Sequence, residues 1–340
     1  MAIFGGANIH GGACQAGLGG PTVATMAKIL ITGAAGFIGS HTTDRLLASG
    51  HTVLGVDNLR SGHRRNLTAA LAAPEFRLEE ADVSAAGVLD ALAAEFRPDA
   101  IIHLAALVSV QESIQDPELN HRLNITATER VAAAALAHGV RRIVFASSAA
   151  IYGDTTDLPI REETEKAPIS PYGAAKLHSE GILLGLSAQG VTVRCHRYFN
   201  VFGPRQDPAS PYSGVISIFD RRYREGQPVT IYGDGQQTRD FISVHDVARA
   251  NEIAATKPGI TAGAANICTG RATSLLDIVK VFATHYPAVP APSFAPSRNG
   301  DIIHSLGRPD RAQAELGFRA TVSVADGLGE LIRTGQSGRP

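Results

Sequence analysis

The chain has 340 residues, 44% hydrophobic and 19% charged, with 31 Lys+Arg against 32 Asp+Glu for a formal net charge of -1. That balance gives no electrostatic footprint for nucleic-acid phosphates or anionic lipid, and the apolar content argues against a disordered chain. At roughly 100 to 200 residues per domain the length suggests about two structural units. No run approaches the roughly 18 consecutive apolar residues of a membrane span, so a soluble protein is expected.

Residues 1–25 hold no Lys or Arg, and glycines interrupt their apolar runs. They read as a flexible leader or tag-like tail and not as a secretory signal; Met26 is a second possible start. From Met26 onward short aliphatic runs alternate with longer amphipathic stretches, the texture of a βαβ series. Strands are expected at 28–32, 52–56, 76–78, 100–103, 142–146 and 191–194, with helices after the first strand and over the Ala-rich stretch 124–138. The pattern implies an α/β fold, a doubly wound parallel-sheet Rossmann domain over residues 26–199. After Asn200 loops and shorter units follow, with strands expected at 229–232, 241–244 and 265–268 and helices at 246–255, 274–285 and 324–333. Residues 200–340 are therefore expected to form mainly a smaller α/β substrate-binding domain, some of its segments returning to the first, over a cleft at the carboxyl ends of the strands. Cys14, Cys195 and Cys268 are odd in number and far apart, which argues against a disulfide framework or a CxxC metal site and fits a reducing cytosol.

Between the first strand and first helix lies Thr32-Gly33-Ala34-Ala35-Gly36-Phe37-Ile38-Gly39. Glycines here permit a tight turn, close backbone approach to a pyrophosphate and tight helix-sheet contact, while the helix N-terminus offers free N–H groups to the anion. The GxxGxxG spacing is one residue longer than GxGxxG, and by itself fits any Gly-rich helix entry. Asp57, ending the second strand, tips the balance, because an acidic residue about 20 residues on can bind a ribose 2′-hydroxyl. It also repels a 2′-phosphate. Asn58 follows where an Arg would favour NADP, so NAD is the expected cofactor; Arg60 is a nearby cation of the opposite tendency.

Tyr172-Gly-Ala-Ala-Lys176 has the YxxxK spacing that puts two side chains on one side of a helix. A phenol with a pKa near 10 must fall by about 3 units to act as a base at neutral pH, roughly 4 kcal/mol. A Lys ammonium about 4 Å away at an effective dielectric near 20 supplies about that much. Alone, the pair would read as chance on a surface helix. Ser148 changes the odds: it ends the fifth strand in Ser147-Ser148-Ala149-Ala150-Ile151-Tyr152-Gly153, at the carboxyl edge where ligands bind. Its hydroxyl can hydrogen-bond a substrate oxygen while Tyr172 takes or returns the proton.

Taken in order, Gly33/Gly36/Gly39, Asp57, Asp82-Val83, Leu104-Ala105-Ala106, Ser148 and Tyr172/Lys176 resemble the extended short-chain dehydrogenase/reductase superfamily. Tyr198-Phe199-Asn200-Val-Phe-Gly-Pro-Arg205, the stretch from Thr230 through Arg239-Asp240-Phe241, and Arg298-Asn-Gly-Asp301 narrow the resemblance. Together they are similar to the NAD-dependent UDP-hexose 4-epimerases, in particular the group related to UDP-glucose and UDP-N-acetylglucosamine 4-epimerase, over residues 28–335.

The resemblance implies a role for each matching position. Asp57, Asn58, Leu59, Ser61 and Gly62 would hold the adenosine ribose, and Asp82 with Val83 the adenine. Leu104, Ala105, Ala106 and Asn124 would line the cofactor path, and Phe199 would lie near the nicotinamide. Ser148, Tyr172 and Lys176 would be catalytic: Tyr172 deprotonates the sugar O4, a 4-keto sugar forms, turns over while UDP stays fixed, and is reduced on its other face. Asn200, Arg239 and Arg298 would contact the diphosphate, Asp301 the uridine ribose and Tyr232 the uracil. Without the motif, Arg239 and Arg298 would read as surface salt-bridge partners, and Arg205 as a solvated loop cation. Ser305 falls where the family has a gate, and its small side chain is expected to admit N-acetyl groups. Val108 stands where the family often has Lys or Arg. A cytoplasmic homodimer through segments 124–138 and 172–185 is implied as well.

Relatives that share the 4-keto intermediate go on to eliminate water or carboxylate. The 4,6-dehydratases carry Asp-Glu directly after the Ser/Thr, where this chain has Ala149-Ala150. A methyl group cannot move protons at C5 or C6, which disfavours this lyase branch. Twelve histidines form no HExxH or HxxxH cluster, so no metal is expected, and His103 reads as packed or capped. Ser148 lacks the GxSxG elbow of a hydrolase. A non-catalytic NAD(P) sensor is the last alternative, and the intact YxxxK speaks against it.

Overall fold

Ile29 and Ile31 pack into one apolar core and Leu30 into another, all three buried. A strand satisfies both sides at once only inside a sheet covered on each face. The computed structural model describes residues 1–2, 26–207, 214–297 and 303–336; Arg298, Asp301 and the leader beyond its first two residues lie outside the described residues.

The first half runs β1 (Lys28–Thr32), α1 (Phe37–Ala48), β2 (Thr52–Asp57), β3 (Phe76–Glu80), α2 (Val88–Phe96) and β4 (Ala100–His103). It continues with α3 (Val110–Gln115), α4 (Pro117–Asn120), a π-helical turn (His121–Thr126), α5 (Ala127–Ala137), β5 (Arg142–Ser148), α6 (Pro171–Leu184) and β6 (Thr192–Tyr198). The second half holds β7 (Asn200–Phe202), α7 (Val215–Arg224), β8 (Thr230–Tyr232), β9 (Thr238–Arg239), β10 (Phe241–Ser243) and α8 (Val244–Thr256). It ends with β11 (Gly263–Ile267), β12 (Thr273–Ser274), α9 (Leu275–His285), β13 (Ser293–Ala295), β14 (His304–Ser305) and α10 (Val324–Gln336). No described helix is long and apolar enough to cross a membrane.

Seven parallel strands form one sheet in the order β11-β6-β5-β4-β1-β2-β3. The direction of strand addition reverses between β1 and β4, and the crevice at the carboxyl ends there is the ligand position of doubly wound folds. One face is covered by α1 and α8, with Leu46, Val247 and Ala250 in the shared core; the other carries Leu89 of α2, Val131 of α5 and Leu183 of α6. A third core, including Phe202, Phe219, Phe282 and Ile332, holds α7, α9 and α10 together.

Two elements have clearly different bounds from the sequence expectation, and a third segment returns to the first domain. The sixth strand does not stop at 194 but runs to Tyr198, because Arg194, His196 and Arg197 are buried with polar partners in Glu315, Asn251 and Glu180. The helix expected from 124 starts as α5 at Ala127, Asn124 lying in the π-helical turn before it. β11 pairs with β6 and so extends the main sheet, while Asn251 of α8 donates to Thr42 of α1 at 3.3 Å.

Candidate active site

Gly33 has φ +74°, and a Cβ on it would meet the Ala105 nitrogen at 2.7 Å. The loop after β1 is thereby pressed onto the segment after β4. A Cβ on Gly39 would stand 1.9 Å from the Gly33 carbonyl oxygen, so only glycine lets α1 start this close to the turn. Gly36 caps α1 without a side-chain hydrogen bond, and no acidic residue occupies the first turn, where Phe37 and Ile38 are half-buried. An uncapped helix N-terminus over a glycine turn is a cradle for a pyrophosphate.

Asp57 is buried at the end of β2 and accepts the Ala35 N–H at 2.9 Å and the Leu59 N–H at 2.8 Å. Burial raises its carboxyl above the usual range against those donors. A Cβ on Gly62 would lie 2.9 Å from both of its oxygens, so the loop folds over the carboxylate, leaving Asn58 and Ser61 exposed. Arg60 is ion-paired with Glu112 of α3. That loop cation is already engaged, which favours a ribose hydroxyl over a 2′-phosphate beside Asp57. Asp82 accepts from Ser84 N and Oγ at 2.9 and 2.6 Å and pairs with Arg122 at 2.8 Å. Burial opposes its ionisation, but these partners outweigh it and hold the carboxyl below the usual range. Val83 beside it is buried.

Ser148 ends β5, and its Oγ accepts the Ala150 N–H at 3.1 Å, folding Ala149–Tyr152 into a 3₁₀ turn. Ser170 caps α6 by accepting the Gly173 N–H at 3.1 Å. Gly173 sits so close to the turn that a Cβ would meet the Ala150 carbonyl oxygen at 2.7 Å. Tyr172 at the start of α6 is thereby held near the turn that Ser148 opens; burial raises the phenol's pKa and the nearby Ser148 hydroxyl opposes the rise. Lys176 is 3% exposed; its Nζ donates to the Ala146 carbonyl at 2.8 Å and lies 5.8 Å from the Tyr172 ring centre. Burial lowers its pKa to about 7.

His103 is packed: its Nδ1 is 2.7 Å from Thr32 Oγ1, its Nε2 3.2 Å from Thr128 Oγ1, and its ring stacks on Phe145. Burial, with the Lys176 charge adding, pushes it to about 3. Among the described residues no group of His, Cys, Asp or Glu could hold a metal ion.

On the other side of the cleft Asn200 opens β7; its backbone N–H and its Nδ2 donate to the Asp240 carbonyl at 3.0 and 3.3 Å. Arg239 stands opposite Ser305 in the β9–β14 pair, its Nη1 donating to the carbonyls of Thr238 and Ile303. The buried Asp240 carboxylate accepts from Thr269 N at 2.8 Å, Thr269 Oγ1 at 2.6 Å, Gly270 N at 2.8 Å and Gly307 N at 3.3 Å. Its own N–H donates to the Ser305 carbonyl at 2.8 Å. Burial raises this carboxyl against the donors. One residue thus fixes the segments of Asn200, Arg239 and Ser305; an acidic residue directly after the motif arginine is the only sequence signal for it. Tyr232, at the end of β8, is partly exposed, whereas Phe199 is buried with Ile151, Tyr152, Ile160 and Cys268.

Residues 29–268 match the model of the NAD dependent epimerase/dehydratase family. The chain belongs to this family. A UDP-glucose 4-epimerase of Mycolicibacterium smegmatis is 38% identical over 308 residues, 90% of this chain and 97% of that protein. The solved structure of a UDP-N-acetylglucosamine 4-epimerase from Methanobrevibacter ruminantium, in complex with UDP-N-acetylmuramic acid, matches with a TM-score of 0.87 at 31% identity, covering 92% of this chain and 99% of that one. A Thermus thermophilus UDP-glucose 4-epimerase complex with NAD matches with a TM-score of 0.81 at 33% identity, over 92% and 100% of the two chains.

Within this epimerase/dehydratase the side chains of Asn124 and Arg205 both engage neighbouring protein groups. Asn124 is buried, its Oδ1 accepting the Leu107 N–H at 3.1 Å and its Nδ2 donating to the Leu107 carbonyl at 3.1 Å and to Asn120 at 2.7 Å. These bonds tie Asn124 to the segment after β4, where the Leu104 and Ala105 N–H groups are tied to Thr32 Oγ1 at 3.2 Å. Arg205 is not a solvated loop cation but pairs with Asp44 at 2.7 Å. Val108 is 65% exposed. A groove of about 1010 Å³ along α1, α7, α8 and α10 contains none of the expected site residues.

Proposed function

We propose that this epimerase/dehydratase is an NAD-dependent 4-epimerase of UDP-hexoses, acting on UDP-glucose/UDP-galactose and, through the small Ser305, on their N-acetylated counterparts. The observation that carries the reading is the close approach of α6 at Gly173, next to Tyr172, to the turn that Ser148 opens, whose next residues are Ala149 and Ala150. The glycine cradle at Gly33, Gly36 and Gly39, the carboxylate of Asp57 and the engagement of Arg60 by Glu112 support NAD. When bound, NAD supplies the hydride chemistry at the sugar C4. Tyr172 takes the O4 proton as the ketone forms and gives it back when the alcohol is restored, while Ser148 hydrogen-bonds the same oxygen. Ala149 and Ala150 place no acid or base where a dehydratase needs one, so the ketone is left to turn over. Asn200, Arg239, Arg298, Asp301 and Tyr232 anchor UDP at a distance, where binding energy can retain an intermediate whose ring must stay loose. We read the working unit as a cytoplasmic homodimer through segments 124–138 and 172–185.

The test incubates purified protein with UDP-galactose and, separately, UDP-N-acetylgalactosamine, without added cofactor, and looks for each C4 epimer. Both epimers are expected. A 4-keto-6-deoxy product or CO2 would move the protein to the lyase branch, and NAD retained without turnover would make it a sensor. Ser305→Tyr is expected to slow the acetylated reaction by about tenfold or more while sparing the plain one. If both forms turn over both substrates equally, Ser305 is no gate.

A further inference from the structure

Arg197 is 5% exposed on β6, and its guanidinium reaches three other segments. Its Nε and Nη2 donate to the two carboxylate oxygens of Glu180 on α6 at 2.9 and 2.7 Å. Its Nη1 donates to the Tyr152 hydroxyl at 2.9 Å and to the Glu162 carbonyl at 3.1 Å. Tyr152 passes the chain on, donating to Asn266 Oδ1 of β11 at 2.7 Å. Asn266 Nδ2 donates to the Ile160 carbonyl at 3.0 Å, and the Ile160 N–H to the Leu306 carbonyl at 2.8 Å, next to Ser305.

The placement of the two ends matters. Glu180 follows Tyr172 and Lys176 at successive four-residue steps of α6, so all three belong to one stripe of that helix. Tyr152 closes the 3₁₀ turn that Ser148 opens. Arg197 therefore joins, through one rigid fork, the helix that carries the phenol and the turn that carries its hydroxyl partner. A buried ion pair is weak evidence for net stability compared with an apolar pair of the same shape, whereas a bidentate guanidinium–carboxylate contact fixes geometry.

We propose that the Glu180–Arg197–Tyr152 network is a positioning device that holds the helix carrying Tyr172 in register with the turn carrying Ser148. The proposal rests on the reading of Tyr172 and Ser148 given above. Moving Ser148 away from the phenol removes what opposes its burial-driven rise, so a loosened network is expected to shift Tyr172 upward in pH.

Tyr152→Phe removes one hydroxyl and keeps the ring; Arg197→Lys keeps the charge and loses the fork. Ionisation of Tyr172 is read in the cofactor-loaded protein by tyrosinate ultraviolet absorption, as the difference between each background with and without Tyr172→Phe, beside kcat and KM across pH. In both variants Tyr172 is expected to titrate about half to one pH unit higher, with kcat down about five- to twentyfold along the same shifted acid limb and KM within about twofold. An unmoved titration with kcat within about twofold of the parent, whatever the melting temperature does, overturns the proposal. A shifted titration in a protein that epimerises no sugar nucleotide keeps the positioning role and overturns the functional reading instead.

Discussion

At the scale of single residues, Tyr172 stands between opposing influences: burial holds its proton on, and Ser148 helps release it. Replacing it with Phe keeps the packed ring and deletes the hydroxyl proposed to exchange the O4 proton. Turnover of UDP-galactose by Tyr172→Phe is expected to fall by about two to four orders of magnitude, while NAD released from the denatured protein stays at the parent's level. Near-parental turnover would remove Tyr172 from the base role. The residues legible in the sequence are those whose chemistry demands one type at one spacing: Gly33 and Gly39 at impossible approaches, Asp57 at a strand end, Tyr172 and Lys176 one turn apart. Those not legible act on partners far along the chain. Asp240 gathers Thr269, Gly270 and Gly307, and Arg197 gathers Glu180, Tyr152 and Glu162; no spacing rule reports either cluster.

At the scale of elements, the site depends on how closely α6 approaches the turn after β5. An Ala in place of Gly inside a helix ordinarily gains about 1 kcal/mol. At Gly173 the new methyl would lie 2.7 Å from the Ala150 carbonyl oxygen and 3.1 Å from Pro168, and a backbone carbonyl cannot swing aside as a side chain can. Gly173→Ala is therefore expected to reverse the sign, losing about 1–3 kcal/mol, and to lower kcat more than it raises KM, because the helix start carrying Tyr172 must back away from Ser148. Denaturant titration and steady-state kinetics check both; a stabilised, fully active variant would mean that the approach has no part in the site. The same scale explains which elements the sequence revealed. β1, β2, β4 and β5 are aliphatic runs with little competing signal. The second half of β6 hid its strand character behind His196 and Arg197, side chains that a buried strand accepts only because α6, α8 and the 3₁₀ turn supply their partners. β11 is short and Ala-rich, and only its pairing with β6 assigns it to the main sheet.

At the scale of the molecule, burial of neutral imidazoles makes folding depend on pH. His41 of α1, His103 of β4 and His196 of β6 are buried, and burial pushes them down to about 4, 3 and 3 from an ordinary 6.5. Their contribution is fully present above about pH 6.5 and is lost as pH falls through the folded-state values. Around pH 5 the unfolded chain binds about three more protons than the folded one, so these groups alone steepen the loss of stability to about 4 kcal/mol per pH unit. Asp57 and Asp240, raised by burial, hold protons in the folded state and offset part of that slope at the acid end. His196 offers the cleanest test, because it lies outside the catalytic contacts: its Nδ1 is 2.9 Å from Asn251 Oδ1, and its Nε2 is buried without a partner. Asn251 Oδ1 also accepts the Tyr198 hydroxyl at 2.6 Å, so the imidazole donates from Nδ1 and stays neutral. In His196→Gln the slope of unfolding free energy between pH 6 and 5, from urea titrations at each pH, is expected to be shallower by about 1.4 kcal/mol per unit. Equal slopes in parent and variant would show that His196 takes up no proton on unfolding there, and would leave the acid sensitivity to the other buried histidines, His41, His51 and His103.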